Sequence, residues 1–536
     1  MARSLSNSSR LLLIALPFLV PACGGGTGGL SDPFVAHAPA QGPGSSRPPP
    51  APLPPPSFPH NPVWAEDAFP FARTAAFGSF PSDLVRFGRT LFTTDADAVE
   101  ADGLTIVALD AGPAGPVPSA AYADTWIRAS DLVDAAGRPG DASAPIGFGF
   151  FVNDLLVATP TLGLALVNAG GSDSAPGLSN LVVFDPSAGT IRQVVQLANV
   201  FSLPGTLLDS TGAAVAGNAF VQSQAEGVAF LPTTGSRGVL LVAMANIVFN
   251  APSYGAVKEP GTVQVFDVDD AAASPVAARP FAGLATQTLR TRDYNPVAVT
   301  RLLNPTGPDR VLVTVAGTTA FDASFHLLPA TPSSVEAYDA ATLTFLGRFD
   351  LGLAGLSGVP PAVGKDGAGH RVAYLASSVN GEAYALRLDG LFGPDVVPSL
   401  VSVLRGPHNG IPVDTAAAGG PGGNVAGVAL SSAGDVLVLS GFGDLFAFPA
   451  PKPGRLLALS LPFDVVGTPG FTTHFLPGTT ALVTTAGRTL GPVAIVPGEG
   501  LGPEVFVAVG GPLDPATFLG TGPASIGSLD TFDRIR

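Results

Sequence analysis

The side chains on offer for chemistry are mostly oxygen-bearing. Six histidines occur, at His37, His60, His326, His370, His408 and His474. None forms an HExxH pair, and no two lie close enough in sequence for a local metal pair. Each reads as a solvated or hydrogen-bonded loop residue. The single cysteine, Cys23, excludes an intrachain disulfide and a cysteine-based metal site. No nucleophile elbow is present: Pro523-Ala524-Ser525-Ile526-Gly527 lacks the first glycine and lies on no strand-to-helix turn. No P-loop is present either. Gly358 to Gly364-Lys365 has the wrong spacing, and Asp366 stands where a hydroxyl would bind magnesium. The acidic cluster Asp95, Asp97, Glu100, Asp102 lacks the third ligand and the glycine of a calcium loop. It reads as a charged turn between strands, with a calcium site as the alternative, and Asp267, Asp269 and Asp270 read the same way. There remain Glu226, Asn295 and Asn424. Each stands at or near the start of a recurring apolar segment: EGVAF (226–230), NPVAVT (295–300) and AGVAL (426–430). Oxygen-bearing side chains at matching repeat positions suggest a shared role. The plainer alternative is that Glu and Asn start strands there and bond exposed backbone. Arg292, Asp293 and Tyr294, beside Asn295, would then form a polar rim.

The elements that must hold these residues repeat along the chain. One β-rich run appears at 89–94, 154–159, 238–245, 309–317, 370–378, 434–441 and 479–487. A second follows most of these, at 104–110, 180–191, 262–271, 334–350, 382–390, 454–461 and 504–520. Its fullest copies read strand, Asp, small-residue turn, strand. Asp185, Asp267 and Asp339 precede the turn, where a carboxylate bonds the amides two residues on. The segments that begin at Glu226, Asn295 and near Asn424 make a third, weaker element. Together these predict units of about four strands, and four antiparallel strands repeated radially are the blades of a β-propeller. Seven repeats predict seven blades. Closure would protect the strand edges, and the tail at 525–536 is expected to join the first blade near 81–92.

Composition agrees with an all-β chain. Its 536 residues include 66 Gly and 54 Pro, too many breaks for long helices, and 33 Phe. Lys and Arg number 26 against 41 Asp and Glu, a net charge of −15. That balance argues against nucleic-acid binding, which needs a basic footprint. Mean hydropathy is +0.39, yet no apolar run reaches the roughly 18 residues of a spanning helix.

The copies VVFDPSAGTI and VEAYDAATLTFLG resemble the YVTN / lactonase-like family of bacterial seven-bladed propellers, although the YVTN tetrapeptide is absent. The resemblance covers most of residues 80–536. It implies that a divalent cation, calcium foremost, would sit at the channel mouth on residues such as Glu226, Asn295 and Asn424. Quinone-dependent propeller dehydrogenases are a poorer match, since only Trp64 and Trp126 are available for repeated Trp docking motifs.

The N-terminus reads as an address. Arg3 and Arg10 precede an apolar stretch from Leu11 to Val20, the pattern of a signal peptide. Val20-Pro21-Ala22-Cys23 resembles the lipobox of bacterial lipoproteins, with Pro21 as the departure. The resemblance implies a signal peptide over 1–22 and lipidation of Cys23, which would anchor the chain in the cell envelope without a spanning helix. No Asp follows the cysteine, which by the same resemblance favours the outer membrane. Residues 23–75, Gly-rich and then Pro-rich, read as a disordered tether. Residues 76–536 read as the propeller. Two functions follow as expectations: a lipid-anchored binding or scaffold module for a protein, glycan or small ligand, and a metal-dependent lactonase or esterase with its site at the central channel.

Overall fold

The computed structural model describes residues 67–68, 83–96, 103–112, 115–128, 131–132, 150–169, 178–198, 214, 220–249, 255–256, 260–279, 287–304, 307–321, 327–365, 369–379, 382–392, 399–404, 425–430, 434, 436–441, 455–460, 482–484, 488–495, 503–510 and 528–533. Over these residues the chain is β-structure, with a short 3-10 turn at Asp389–Phe392. Among them no helix is long and apolar enough to cross a membrane.

The strands form seven antiparallel sheets of four or more strands, and one small hairpin, Thr319–Phe321 with Leu327–Pro329. In chain order their inner strands are Leu84–Phe87, Phe150–Thr159, Phe220–Pro232, Pro296–Leu302, Ala362–Lys365, Val425–Leu430 and Arg488–Ile495. Five of the blades meander outward through four consecutive positions; the first and third carry two outer segments on their third strand. Inner strands touch at six of the seven joints, the first against the seventh among them, and the fourth and fifth blades share a core that includes Leu312, Ala337, Ala373 and Leu375. Arg86 Nη1 seals that joint by donating to the Ile495 carbonyl at 2.7 Å. This is a seven-bladed β-propeller.

The middle strands are apolar on both faces because each is covered by a blade on either side. In Arg237–Phe249, residues Leu240 to Ala245 are all fully buried. Even-numbered members of this run pack toward the second blade with Leu164 and Val183. Odd-numbered ones pack toward the fourth with Val311 and Val313.

Two details of the sequence reading change. The tail strand Ser528–Asp533 does not join the first blade; it is the third strand of the seventh, paired with Pro503–Gly510. Asp67–Ala68 then pairs outside it, opposite Leu529 and Ser528, so an N-terminal segment, within the stretch read as tether, closes the ring. Two copies of the first repeat are also displaced. Residues 154–159 belong to the inner strand of the second blade, and 482–484 to the outer strand of the sixth. Short apolar runs covered on both sides look alike whichever position they take.

The turn aspartates divide. Asp185 Oδ1 accepts from the amides of Ser187 and Ala188 at 2.8 and 3.2 Å, and Asp339 Oδ1 from those of Ala341 and Thr342, both at 3.0 Å. In the third blade the strand runs on to Asp269, so Asp269 closes the turn on Ala271 and Asp267 pairs with Arg279 at 2.6 Å.

Candidate functional site at the inner strand starts

Near their starts, four inner strands each skip a single residue in their ladder to the next strand. The extra residues are Asn153, Glu226, Val297 and Ala426 in the second, third, fourth and sixth blades. Such a bulge re-aims the side chain it carries. It also fixes which residues are equivalent. Glu226 corresponds to Asn153, Val297 and Ala426. Asn295 stands two residues before its bulge, the place held by Gln224 and Asn424 in the third and sixth blades. The three candidate residues, read from sequence as one position, therefore occupy two. Asn424 lies outside the described residues.

Glu226 is 4% exposed. Its Oε2 accepts from Asn153 Nδ2 at 2.9 Å, and the same amide donates to the Ala225 carbonyl at 2.9 Å. Asn168 holds the bulge from the other side, donating to the Ala225 carbonyl at 2.7 Å and accepting from its amide at 3.2 Å. Among the described residues Glu226 Oε1 has no hydrogen-bond partner. Burial pushes this carboxyl well above the ordinary range, against the smaller pull of Asn153. Gln224 is fully buried, and neither its oxygen nor its nitrogen has a partner among the described residues. Asn295 adopts φ 65°, a left-handed conformation that Asn tolerates better than most residues. Its Nδ2 donates to the Gly317 carbonyl at 3.0 Å, while its Oδ1 is unpartnered.

Gly227 brings the third and fourth blades together beside these groups. A Cβ there would lie 2.7 Å from Ala298 Cα and 2.9 Å from the Val297 carbonyl oxygen. The rim residues are tied into the fourth blade. The amides of Arg292 and Asp293 donate to Glu336 Oε1 at 2.6 and 3.2 Å. The Asp293 carboxylate takes the Ser334 hydroxyl at 2.6 Å and Arg348 at 2.7 Å. On the same face the third blade rises above its neighbours. Its two inner strands are 13 residues each, and the Thr319–Phe321 hairpin grows from the fourth blade at that end.

Two carboxyls that sequence reasoning passed over sit next along the ring. Asp83 immediately precedes the inner strand of the first blade, and Asp154 follows the bulge of the second. Asp83 accepts from the amides of Leu84 and Leu155 at 2.7 and 2.5 Å. Asp154 Oδ2 accepts from the amide of Val228 at 2.7 Å. Each thus bonds the backbone of the following blade. A signal was present, for Ser82-Asp83-Leu84 and Asn153-Asp154-Leu155 are copies of one motif. Burial raises both carboxyls, Asp83 to about 7, and the charge of Asp83 adds to the rise at Asp154.

The oxygens left open, Glu226 Oε1, Gln224 Oε1 and Asn295 Oδ1, are hard donors with one carboxyl among them. Such a set fits calcium better than zinc. Among the described residues no group of three or more His, Cys, Asp or Glu is placed to hold a metal ion. The Asp267–Asp270 turn is no cation loop. Its carboxylates pair one by one with Arg279, Arg237 and Arg192. Of the Asp95 cluster, Asp97, Glu100 and Asp102 lie outside the described residues.

No protein-family model matches the chain, and no curated protein does. Solved structures with its fold do match. The Dos1 propeller aligns with a TM-score of 0.38 at 12% identity, over 85% of this chain and 78% of that one. A hypothetical selenium-binding protein from Sulfolobus tokodaii aligns with a TM-score of 0.40 at 11% identity, over 80% and 87%. A europium-containing methanol dehydrogenase aligns with a TM-score of 0.37 at 11% identity, over 86% and 93%. These likenesses are of fold, and a fold of this kind hosts unrelated functions.

Proposed function

We propose that this chain is a lipid-anchored, extracytoplasmic β-propeller that serves as a binding or scaffold module for a protein, glycan or small ligand. Its ligand face is the one on which the inner strands begin. The observation that carries this reading is the set of buried, unpartnered polar atoms on Glu226 and Gln224. A buried polar group without a partner costs about 1–3 kcal/mol, and hydroxyl or amide groups of a ligand would supply the missing bonds. The raised strands of the third blade and the hairpin of the fourth give such a ligand a wall. Anchoring rests on Cys23 and the residues before it, which lie outside the described residues.

The alternative is a metal-dependent lactonase or esterase at the channel. What favours it is the buried carboxyl of Glu226, whose Oε1 is open and which burial pushes above the ordinary range. Glu226, Asn295 and Asn424 would hold the cation, which would supply Lewis-acid polarisation of an ester carbonyl.

One comparison separates the two readings. Glycans, short peptides, lactones and aryl esters are screened on the purified chain and on Glu226→Gln, by thermal shift and by hydrolysis. Ligands that raise the melting temperature of the wild type and not of the variant, with no turnover, support the binding module. Turnover by the wild type that is lost in Glu226→Gln overturns it in favour of the hydrolase.

A further inference from the structure

The joints between the first three blades are made by carboxyls. Asp83 reaches forward from the first blade to the amide of Leu155 in the second, and Asp154 from the second to the amide of Val228 in the third. Both side chains are buried, at 6% and 8% exposure. In the third blade the equivalent residue is Gly227, so the series stops where the backbones come into contact.

The charged groups around this pair are unbalanced. On the strand of Asp83, Arg86 turns away to the carbonyls of Gly88 and Ile495. The neighbouring strand offers Thr93, whose hydroxyl donates to the Asp83 carbonyl, and Thr94, whose hydroxyl takes its amide. The second blade offers Asp154 itself and neutral Asn153. The third offers Glu226, held by Asn153. The groups acting on the two carboxyls are each other and the amides of Leu84, Leu155 and Val228. The charge of Asp83 acts on Asp154, and two like charges in a dry joint disfavour double ionisation.

We propose that Asp83 and Asp154 make the joint of the first three blades proton-dependent, tight in acidic medium and loosened as the medium turns alkaline. A carboxyl raised in the folded state binds a proton that the unfolded chain has released. Its contribution is whole below about pH 4 and is lost as pH rises through the folded value, about 7 for Asp83. This runs opposite to ordinary acid denaturation. It does not depend on the binding reading above.

The test is urea unfolding of the full chain from pH 5 to pH 8, in the wild type, Asp83→Asn and Asp154→Asn. Asn retains a carbonyl oxygen for the next blade's amide but cannot ionise. Relative to either variant, the wild-type unfolding constant is expected to rise by about a hundredfold from pH 5 to pH 8, as one carboxyl at about 7 in the folded state and about 4 in the unfolded chain implies. Hydrogen exchange on the wild type is the second measurement. The amides of Leu155 and Val228 are expected to lose protection at pH 8 after correction for intrinsic rates. Parallel pH profiles in wild type and variants overturn the proposal, as does unchanged protection. If a variant does not fold, exchange on the wild type decides.

Discussion

Replacing Arg192 with methionine removes the tie between the second and third blades on the face opposite the inner strand starts. The guanidinium donates to Asp270 Oδ1 at 2.6 Å, to the carbonyls of Asp270 and Thr161 at 2.6 Å each, and to that of Ala272 at 2.9 Å. Asp270 Oδ2 takes the hydroxyls of Thr159 and Thr161, both at 2.8 Å. The side chains of Arg192 and Asp270 are 18% and 10% exposed, so water competes only in part. A hydrogen bond to a charged group contributes about 1.5–3 kcal/mol. The three carbonyls regain some solvation, so Arg192→Met is expected to lose about 2–4 kcal/mol in all. The coupling with Asp270→Asn should be about 1–2 kcal/mol, above the range of exposed pairs. Urea unfolding of the wild type, both single variants and the double variant at pH 7 and low salt measures it. The same pair predicts a pH trend. Partial burial works to raise the Asp270 carboxyl, but Arg192 and the two threonines hold it below the ordinary range. Its contribution is therefore present above about pH 4 and fades as pH falls through the lowered value. A coupling below about 0.3 kcal/mol, or a pH trend unchanged in Arg192→Met, would refute the reasoning.

Two further changes probe other parts of the molecule. Gly227→Ala sets a Cβ 2.7 Å from Ala298 Cα, against backbone that both blades hold in place. It is expected to lose about 2–4 kcal/mol, whereas Gly235→Ala, with φ 62° and open space around it, should lose about 1 kcal/mol in the same urea titration. Cys23→Ser is expected to move the protein from the membrane fraction to the soluble fraction and to abolish labelling by a radioactive fatty acid; membrane recovery unchanged by the substitution would remove the lipid anchor.

The architecture was legible because it repeats. Seven apolar runs, each with a polar or glycine-bearing turn after it, carry the blade count even though two of the runs were assigned to the wrong strand. Asp185 and Asp339 were legible because a side chain bonding its own turn is a local event. Asp267 was not, because the third blade's strand extends two residues further than its neighbours. The site was harder to read. A bulge inserts one residue without any mark in composition, so EGVAF and NPVAVT align by eye two residues out of their structural register. That slip joined Glu226 to Asn295 and concealed Gln224. Asp83 and Asp154 were passed over because their partners are backbone amides about 70 residues away, and no local pattern encodes an amide from the next blade.

A ring of repeated blades supplies many equivalent positions, and its chemistry must arise where the copies differ. At the bulge the fourth and sixth blades carry Val297 and Ala426, the apolar choices that packing alone requires. The second and third carry Asn153 and Glu226. At the next position Asp154 faces Gly227. At the position two before the bulge, Gln224 and Asn295 are both polar, with unpartnered oxygens. Burying such groups is unfavourable, and a purely structural ring would be more stable with the apolar residues its own repeat already uses elsewhere. Asp83 and Asp154 are accounted for by the amides they hold. Glu226 Oε1 and the Gln224 amide have no partner among the described residues, and that asymmetry directs the search for a ligand to the third blade and its two neighbours.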